Sequence, residues 1–216
     1  SNDTLTVAQF FSIHSNTPHL RLIKQAVTIV RSGGVLVYPT DSCYALGCHL
    51  NDKTAMSRIR TIRQVDEKHH FTLICRDLAE IATYAKVDNS QYRLLKTTTP
   101  GSYTFILQAT REVPRRMQHP KRNTIGLRIP DHPVVLALLE ELGEPLLSST
   151  LILPGDEWPL NDGEEIRNRL EHQVELIMDS GSCGIEMTTV IDLTKDVPEL
   201  IRQGKGSIEP FGISHG

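Results

Sequence analysis

Val35-Leu36-Val37-Tyr38-Pro39-Thr40-Asp41-Ser42-Cys43-Tyr44-Ala45-Leu46-Gly47-Cys48 is the stretch on which the reading of this chain turns. Its first four residues, β-branched, aliphatic and aromatic, predict a short buried strand. A carboxylate and two hydroxyls follow at once, at the carboxyl end of that strand, where open α/β sheets place their ligands. Pro39, Asp41 and Ser42 are also ordinary turn formers. The segment alone therefore favours a turn over a binding loop while leaving both open, and its surroundings must decide.

Upstream, Asn16-Thr17-Pro18 predicts a helix start with the proline at its first position. Leu22, Ile23, Ala26, Val27 and Val30 then recur at helical spacing until Gly33-Gly34 stops them. Downstream, Asp52 opens a helix carrying Met56, Ile59 and Ile62, and Phe71–Cys75 reads as a strand. Asp77-Leu78-Ala79-Glu80 reads as a capping box for a further helix. Strand signals return at Tyr103–Leu107, Thr124–Ile129, Leu146–Ser149, Val174–Met178, Val190–Leu193 and Leu200–Arg202, with helices after Asp131 and near Asp162–Glu171. Strands and helices interleave, yet several late strands follow one another closely. The expected fold class is α/β: one domain over 1–216, core about 15–210, with a twisted mixed sheet and helices on its faces.

Composition is that of a globular domain: 216 residues, 39% hydrophobic and 23% charged. No apolar run approaches the roughly 20 residues of a membrane span. Ser1-Asn2-Asp3-Thr4 lacks the basic stretch and apolar core of a secretion signal. Cys43, Cys48, Cys75 and Cys183 form no CxxC pair, which fits reduced thiols in a cytoplasmic protein without membrane partners. The net charge of -3 conceals an asymmetry. Residues 1–135 hold 18 Lys and Arg against 10 Asp and Glu, and residues 136–216 hold 5 against 16. Two differently charged solvated faces explain this, as does a basic surface for phosphates or RNA beside an acidic flank.

Three further clusters carry candidate chemistry. Arg58, Arg60 and Arg63, then Lys68, His69 and His70, form a basic run, and Arg60 and Arg63 share a helix face from which both can address a polyphosphate. Arg111, Arg115, Arg116, His119, Lys121 and Arg122 form a second, leading into a strand with Arg128 between Leu127 and Ile129. Strand alternation puts Arg128 on the face opposite those two neighbours, so it lies on a polar face or is committed to a ligand or a buried partner. Ser148-Ser149-Thr150 ends another strand, with hydroxyls suited to phosphate or carboxylate oxygens, or to local backbone groups. The histidines lack metal-ligand spacing, so no structural metal is expected. No Walker loop or dinucleotide-binding glycine fingerprint is present.

Taken in order, these pieces resemble the YrdC/YciO-like family over nearly the whole chain. Pro39–Cys48 resembles its Pro-Thr-Asp/Glu-Thr-x-Tyr-Gly-Leu-Gly signature, and Pro100-Gly101-Ser102-Tyr103-Thr104 its Pro-Gly-x-x-Thr element. Thr124–Pro133 is similar to its Arg-Val-Pro-x-His-Pro strand and helix start. Thr188-Thr189-Val190-Ile191-Asp192 and Arg202-Gln203-Gly204 are similar to its closing elements, and Ser42 with Ala45 points to the YciO branch. The family's enzymes are threonylcarbamoyl-AMP synthases, which join threonine, bicarbonate and ATP, release pyrophosphate, and serve the threonylcarbamoyl modification of tRNA adenosine. The resemblance implies that Thr40, Arg128 and Thr188 or Thr189 hold threonine. It implies that Arg63, Lys68, Ser148, Thr150 and Arg202 hold ATP, a substrate that travels with Mg2+.

Two positions depart from the synthase pattern. The family's Lys-x-Arg falls on Arg63-Gln64-Val65 and its Ser-x-Asn on Thr150-Leu151-Ile152, so one cation becomes Val65 and the amide becomes Ile152. Each lost charged or polar partner costs about 1.5–3 kcal/mol, with Arg60, Lys68 or His70 as candidates to compensate. The expected activity is a nucleotide- and double-stranded-RNA-binding protein with weakened synthase chemistry at most. The alternative is a non-catalytic duplex-RNA-binding or ribosome-associated factor. For RNA, the candidate contacts are Arg58, Arg60, Arg111, Arg115, Arg116, Lys121 and Arg122, on duplex RNA or tRNA; with no aromatic platform among them, recognition follows backbone and shape. A hydrolase of adenylate-type compounds has no dedicated nucleophile or metal motif behind it.

Overall fold

A computed structural model describes residues 6–214, so the reading of Ser1–Thr4 lies outside the described residues. In chain order the elements are β1 (Gln9–Ser12), α1 (Leu20–Arg31), β2 (Leu36–Tyr38), β3 (Ala45–His49), α2 (Lys53–Arg63), β4 (Thr72–Ile74), α3 (Leu78–Tyr84) and α4 (Asn89–Thr98). They continue with β5 (Tyr103–Gln108), β6 (Thr124–Arg128), α5 (Pro133–Leu142), β7 (Leu146–Thr150), α6 (Gly163–Leu170), β8 (Leu176–Asp179), β9 (Thr189–Asp192) and β10 (Glu199–Arg202). All ten strands join one mixed sheet in the order β1-β8-β2-β3-β7-β4-β6-β5-β9-β10. This is the α/β architecture that the sequence predicts. No helix among the described residues is long and apolar enough to cross a membrane.

The two faces of the sheet are covered unequally, and that inequality makes the site. On one face Val37, Leu46, Leu73, Phe105, Leu127, Leu147, Ile177 and Ile191 pack into a continuous core with Met56, Ile59 and Ile62 of α2, Ile81 of α3, Leu95 of α4 and Ile166 of α6. On the other, α1 and α5 lie against each other and cover Phe11, Leu36, Tyr38, Ala45, Ile74, Leu146, Leu176 and Met178. Register carries this second face onward: Thr72 stands opposite Gly126 and Ser148, Ile106 opposite Gly126 and Asp192, Thr104 opposite Val190, and Ala45 opposite Thr150. Ala45 borders the layer of α1 and α5, and beyond it these positions, mostly small or polar, floor a cleft.

The local starts and stops differ in part from expectation. α1 begins at Leu20, not at Pro18, because the backbone N–H groups of Asn16 and Thr17 are both turned onto His14 Nδ1, each at 3.2 Å, in a separate turn. Asp52 caps α2 by accepting from Ala55 N at 2.9 Å, as the sequence predicts. Asp77 likewise accepts from Glu80 N at 2.8 Å, but Glu80 reaches back to Arg76 N rather than to Asp77 N. The reciprocal capping box instead opens the unpredicted α4, between Asp88 and Gln91.

Candidate functional site

The uncovered half-face forms a cleft of about 650 Å³. Its floor is the register set just described, with Ile106 and Val190 supplying apolar area and Thr72, Thr104, Ser148 and Thr150 supplying hydroxyls. A pocket of this size with a few convergent polar groups suits a nucleotide-sized ligand. Two polar clusters stand at its walls.

The first gathers around Arg128. Its guanidinium forms an ion pair with Asp41 and donates from Nη1 to Ser42 Oγ at 3.0 Å, while Nε is buried without a partner. Asp41 also accepts from the backbone N–H of Asp131 at 3.0 Å, which ties the loop after β2 to the start of α5. Thr40 holds the same loop closed: its Oγ1 accepts from the N–H groups of Ser42 and Cys43, each at 3.1 Å, and donates to Cys43 O at 2.5 Å. Beside it, Thr188 Oγ1 lies 2.8 Å from Thr104 Oγ1, and Arg202 donates to Thr188 O from Nε and Nη2 at 3.1 and 2.9 Å. Burial pushes the Arg202 guanidinium below its ordinary range. Gly204 makes this approach feasible, since a Cβ there would fall 2.2 Å from Met187 O.

The second cluster gathers around Arg63, the last residue of α2. Its Nη1 donates to Ser149 Oγ at 2.7 Å and lies 3.3 Å from His69 Nε2, and its Nε donates to Ile152 O at 3.2 Å. His69 Nε2 in turn lies 3.1 Å from Ser149 Oγ. Burial first, then the neighbouring Arg63, pushes the His69 imidazole down to about 4, and burial lowers Arg63 as well. Below them Ser148 Oγ meets the buried Tyr38 hydroxyl at 2.5 Å. Tyr38 crosses β3 at Gly47, where a Cβ would stand 2.7 Å from its ring. The motif glycine thus makes room for the phenol, which burial holds well above its usual range.

Thr40, Arg63, Arg128, Ser148, Thr150, Thr188 and Arg202, all singled out in the sequence, line this one cleft. Thr189 does not: it is fully buried, its hydroxyl donating to Gly206 O at 2.6 Å and accepting from Gly204 N at 2.9 Å. Lys68 lines a neighbouring cavity of about 370 Å³ with Arg116 and Lys121. Ile152 faces the cleft, whereas Val65 does not line it. Among the RNA candidates, Arg111, Arg115, Arg116, Lys121 and Arg122 are exposed, and Arg122 reaches the cleft wall. Arg58 is held by Glu175 at 2.5 Å and by Gln173 O, and Arg60 lies over the Phe71 ring at 5.1 Å, so neither joins that group. His69 and Ser149 carry no individual signal in the sequence, since each stands in a run of residues of its own type, and only the fold brings them within reach of each other.

Asp192 is the one carboxylate that lines the cleft among the described residues, and its Oδ1 already accepts from Thr194 N at 2.8 Å. No group of three or more His, Cys, Asp or Glu among the described residues is arranged to hold a metal. Mg2+ calls for near-octahedral oxygen ligands and keeps several waters, and among the described residues the cleft lining offers it one carboxylate, Asp192.

The family model described as telomere recombination, Sua5_yciO_yrdC, matches residues 28–204. The uncharacterized protein YciO of Escherichia coli K12 is 58% identical over 205 residues, covering 95% of this chain and 100% of that protein. The crystal structure of E. coli YciO superposes with a TM-score of 0.91 over 94% of this chain and 99% of that one. A threonylcarbamoyl-AMP synthase of Vibrio vulnificus is 28% identical over 159 residues, 72% of this chain and 84% of the synthase. The fold is shared with P. abyssi Sua5, crystallised with L-threonine, at a TM-score of 0.84 and 24% identity over 91% of this chain and 58% of that one.

Proposed function

We propose that this chain, which belongs to the Sua5/YciO/YrdC family, binds ATP and L-threonine in its sheet-floored cleft and retains threonylcarbamoyl-AMP synthase chemistry only in weakened form. The observation that carries this reading is the convergence of Thr40, Arg63, Arg128, Ser148, Thr150, Thr188 and Arg202 on one cavity of about 650 Å³. Similarity to a threonylcarbamoyl-AMP synthase across 72% of the chain supports it.

In that reaction a threonylcarbamate oxygen attacks the α-phosphorus of ATP, and the bond to pyrophosphate breaks. Negative charge moves onto the leaving pyrophosphate and must meet fixed donors. Arg63 at the end of α2, with the hydroxyls of Ser148 and Thr150, supplies them. Arg128 and Thr188 suit the carboxylate and hydroxyl of threonine, while Ile106 and Val190 take apolar surface. A rigid floor of paired strands aligns the two reactants and lowers the entropic part of the barrier.

Weakening follows from two side chains. Ile152 presents aliphatic carbon to the cleft where the synthase pattern has an amide, and Val65, which does not itself line the cleft, carries no guanidinium where that pattern has one. Each costs about 1.5–3 kcal/mol, about ten- to a hundredfold in rate. The test is pyrophosphate release and carbonate fixation from ATP, L-threonine and labelled bicarbonate: slow or undetectable turnover with measurable ATP binding is expected, and robust turnover contradicts the assignment of Val65 and Ile152.

A second reading has its own observation. The segment 111–122 exposes Arg111, Arg115, Arg116, Lys121 and Arg122 beside the cleft mouth, a charge density suited to the phosphate backbone of duplex RNA or tRNA. One basic surface then serves RNA at the rim and nucleotide within.

A further inference from the structure

Arg63, His69 and Ser149 are drawn from three different parts of the chain, the end of α2, the loop after it and β7, yet their polar atoms meet within 3.3 Å. An arginine N–H is always a donor, so the atom that faces Nη1 of Arg63 on His69, Nε2, stands there as an acceptor. The imidazole is therefore neutral, with its proton on Nδ1. Nη2 of Arg63 donates to no protein group among the described residues.

From this geometry we infer that Arg63, His69 and Ser149 form a proton-coupled anion site, at which a phosphate group of the ligand is bound together with a proton taken up from solvent onto His69 Nε2. The inference rests on the proposed nucleotide reading of the cleft and deepens it by assigning the group that makes up for the cation absent at Val65. A phosphate oxygen that draws the Arg63 fork toward itself frees Nε2, and the added negative charge favours the imidazolium, which then donates where the neutral ring accepted. No bond to phosphorus forms or breaks in this step; one proton moves from water to nitrogen.

The surroundings set the direction. His69 is faced by Arg63 and Arg60 from α2, by Asp66 and His70 within its own loop and by Ser149 of β7, and its ring stands edge-on to Phe71 at 5.1 Å. Burial and the two guanidinium groups hold the free imidazole near 4, against one opposing carboxylate, Asp66. His70, stacked on His119 at 5.4 Å, is lowered by burial and by that neighbour. Lys68, Arg116, Lys121 and Glu67 stand around the adjoining cavity, which shares His69 and His70 with the cleft, so the charge around His69 is predominantly positive. A histidine that is neutral when the site is empty and charged when an anion fills it must bind a proton with the anion.

Calorimetric titration of pyrophosphate at pH 5.5, 6.5 and 7.5, each in two buffers of different ionisation enthalpy, measures that proton directly. Wild type is expected to take up a larger fraction of a proton than His69→Gln, and to gain affinity as pH falls, by up to about tenfold per pH unit. Comparing the two proteins cancels the titration of pyrophosphate itself. Nitrogen-15 ring signals of the wild-type histidines provide a second readout that does not depend on the variant folding: one ring is expected to move from neutral to imidazolium on adding pyrophosphate at pH 6.5. Pyrophosphate binding with equal proton uptake in both proteins, or with no histidine changing its charge, overturns this inference alone. Absence of pyrophosphate binding at every pH overturns the phosphate reading of the cleft and this inference with it.

Discussion

Arg128 at the end of β6 and Asp41 in the loop after β2 form an ion pair across 87 residues of sequence, with side chains only 7% and 11% exposed. This pair fixes the loop that carries the signature motif against the cleft floor, and through the Asp131 N–H it fixes the entry to α5 as well. Removing one partner strands the other charge in a poorly solvated place. Asp41→Asn is expected to lower unfolding free energy by about 3–5 kcal/mol in urea titration. The double variant Asp41→Leu, Arg128→Met is expected to lose less than Asp41→Asn alone. An Asp41→Asn protein as stable as wild type contradicts the role of the pair.

Tyr38 and Ser148 join β2 to the floor of the cleft. Tyr38→Phe leaves Ser148 without that partner and is expected to cost about 1–2 kcal/mol in thermal or urea unfolding. Gly47→Ala places a methyl 2.7 Å from the Tyr38 ring and is expected to cost more, with loss of ATP affinity as the floor shifts. Equal stability and affinity in both variants contradicts the account.

The depressed imidazole of His69 also sets a pH dependence of stability. With a folded value near 4 and an ordinary value near 6.5, the unfolded chain binds more protons between these limits. Its contribution is complete above about pH 6.5 and is lost as pH falls toward 4. In His69→Gln the fall of unfolding free energy over that window is expected to be shallower, and an identical pH profile contradicts the assignment.

Much of the fold was legible because helix caps and buried strands declare themselves locally: Asp52 before an apolar-periodic run, and Leu146-Leu147 before three hydroxyls. β3 was not, because Ala45-Leu46-Gly47-Cys48-His49 lacks the β-branched residues that mark strands, and its burial between β2 and β7 is decided by tertiary pairing. β1, an edge strand, carried too few residues to stand out. Of the site, Thr40, Arg128 and Ser148 were legible through motif resemblance. Asp41 as the partner of Arg128, and His69 as the partner of Ser149, were not, because each pairing joins segments more than 75 residues apart.

The departures from the synthase pattern predict a gain of function. Ile152→Asn restores an amide at the cleft wall and is expected to raise pyrophosphate release from ATP, L-threonine and bicarbonate by about tenfold or more. Val65→Arg added to it is expected to raise it further only if the longer side chain reaches the phosphates, since Val65 itself does not line the cleft. No gain in either protein contradicts the view that these two residues limit the chemistry.

For RNA, Arg115 and Arg116 lie exposed on the segment beside the cleft mouth. Their joint replacement by Ala is expected to flatten the log–log salt dependence of duplex-RNA affinity by up to about two units, with unfolding unchanged. Arg58→Ala, whose guanidinium is engaged by Glu175, is expected to leave that slope unchanged. Duplex-RNA binding that is absent at low salt, or unaltered in the double variant, contradicts an RNA-binding rim.

If one cleft holds both ATP and threonine, substitutions in its wall and the presence of threonine must each change the affinity for ATP. ATP is titrated calorimetrically into wild type, Arg63→Ala and Thr150→Ala, with and without saturating L-threonine. Saturable ATP binding is expected in wild type, with about tenfold or greater loss in Arg63→Ala, a smaller loss in Thr150→Ala, and an ATP affinity that changes when threonine is present. ATP binding indifferent to both substitutions and to threonine, or no binding at millimolar ATP by the folded wild-type protein, contradicts it.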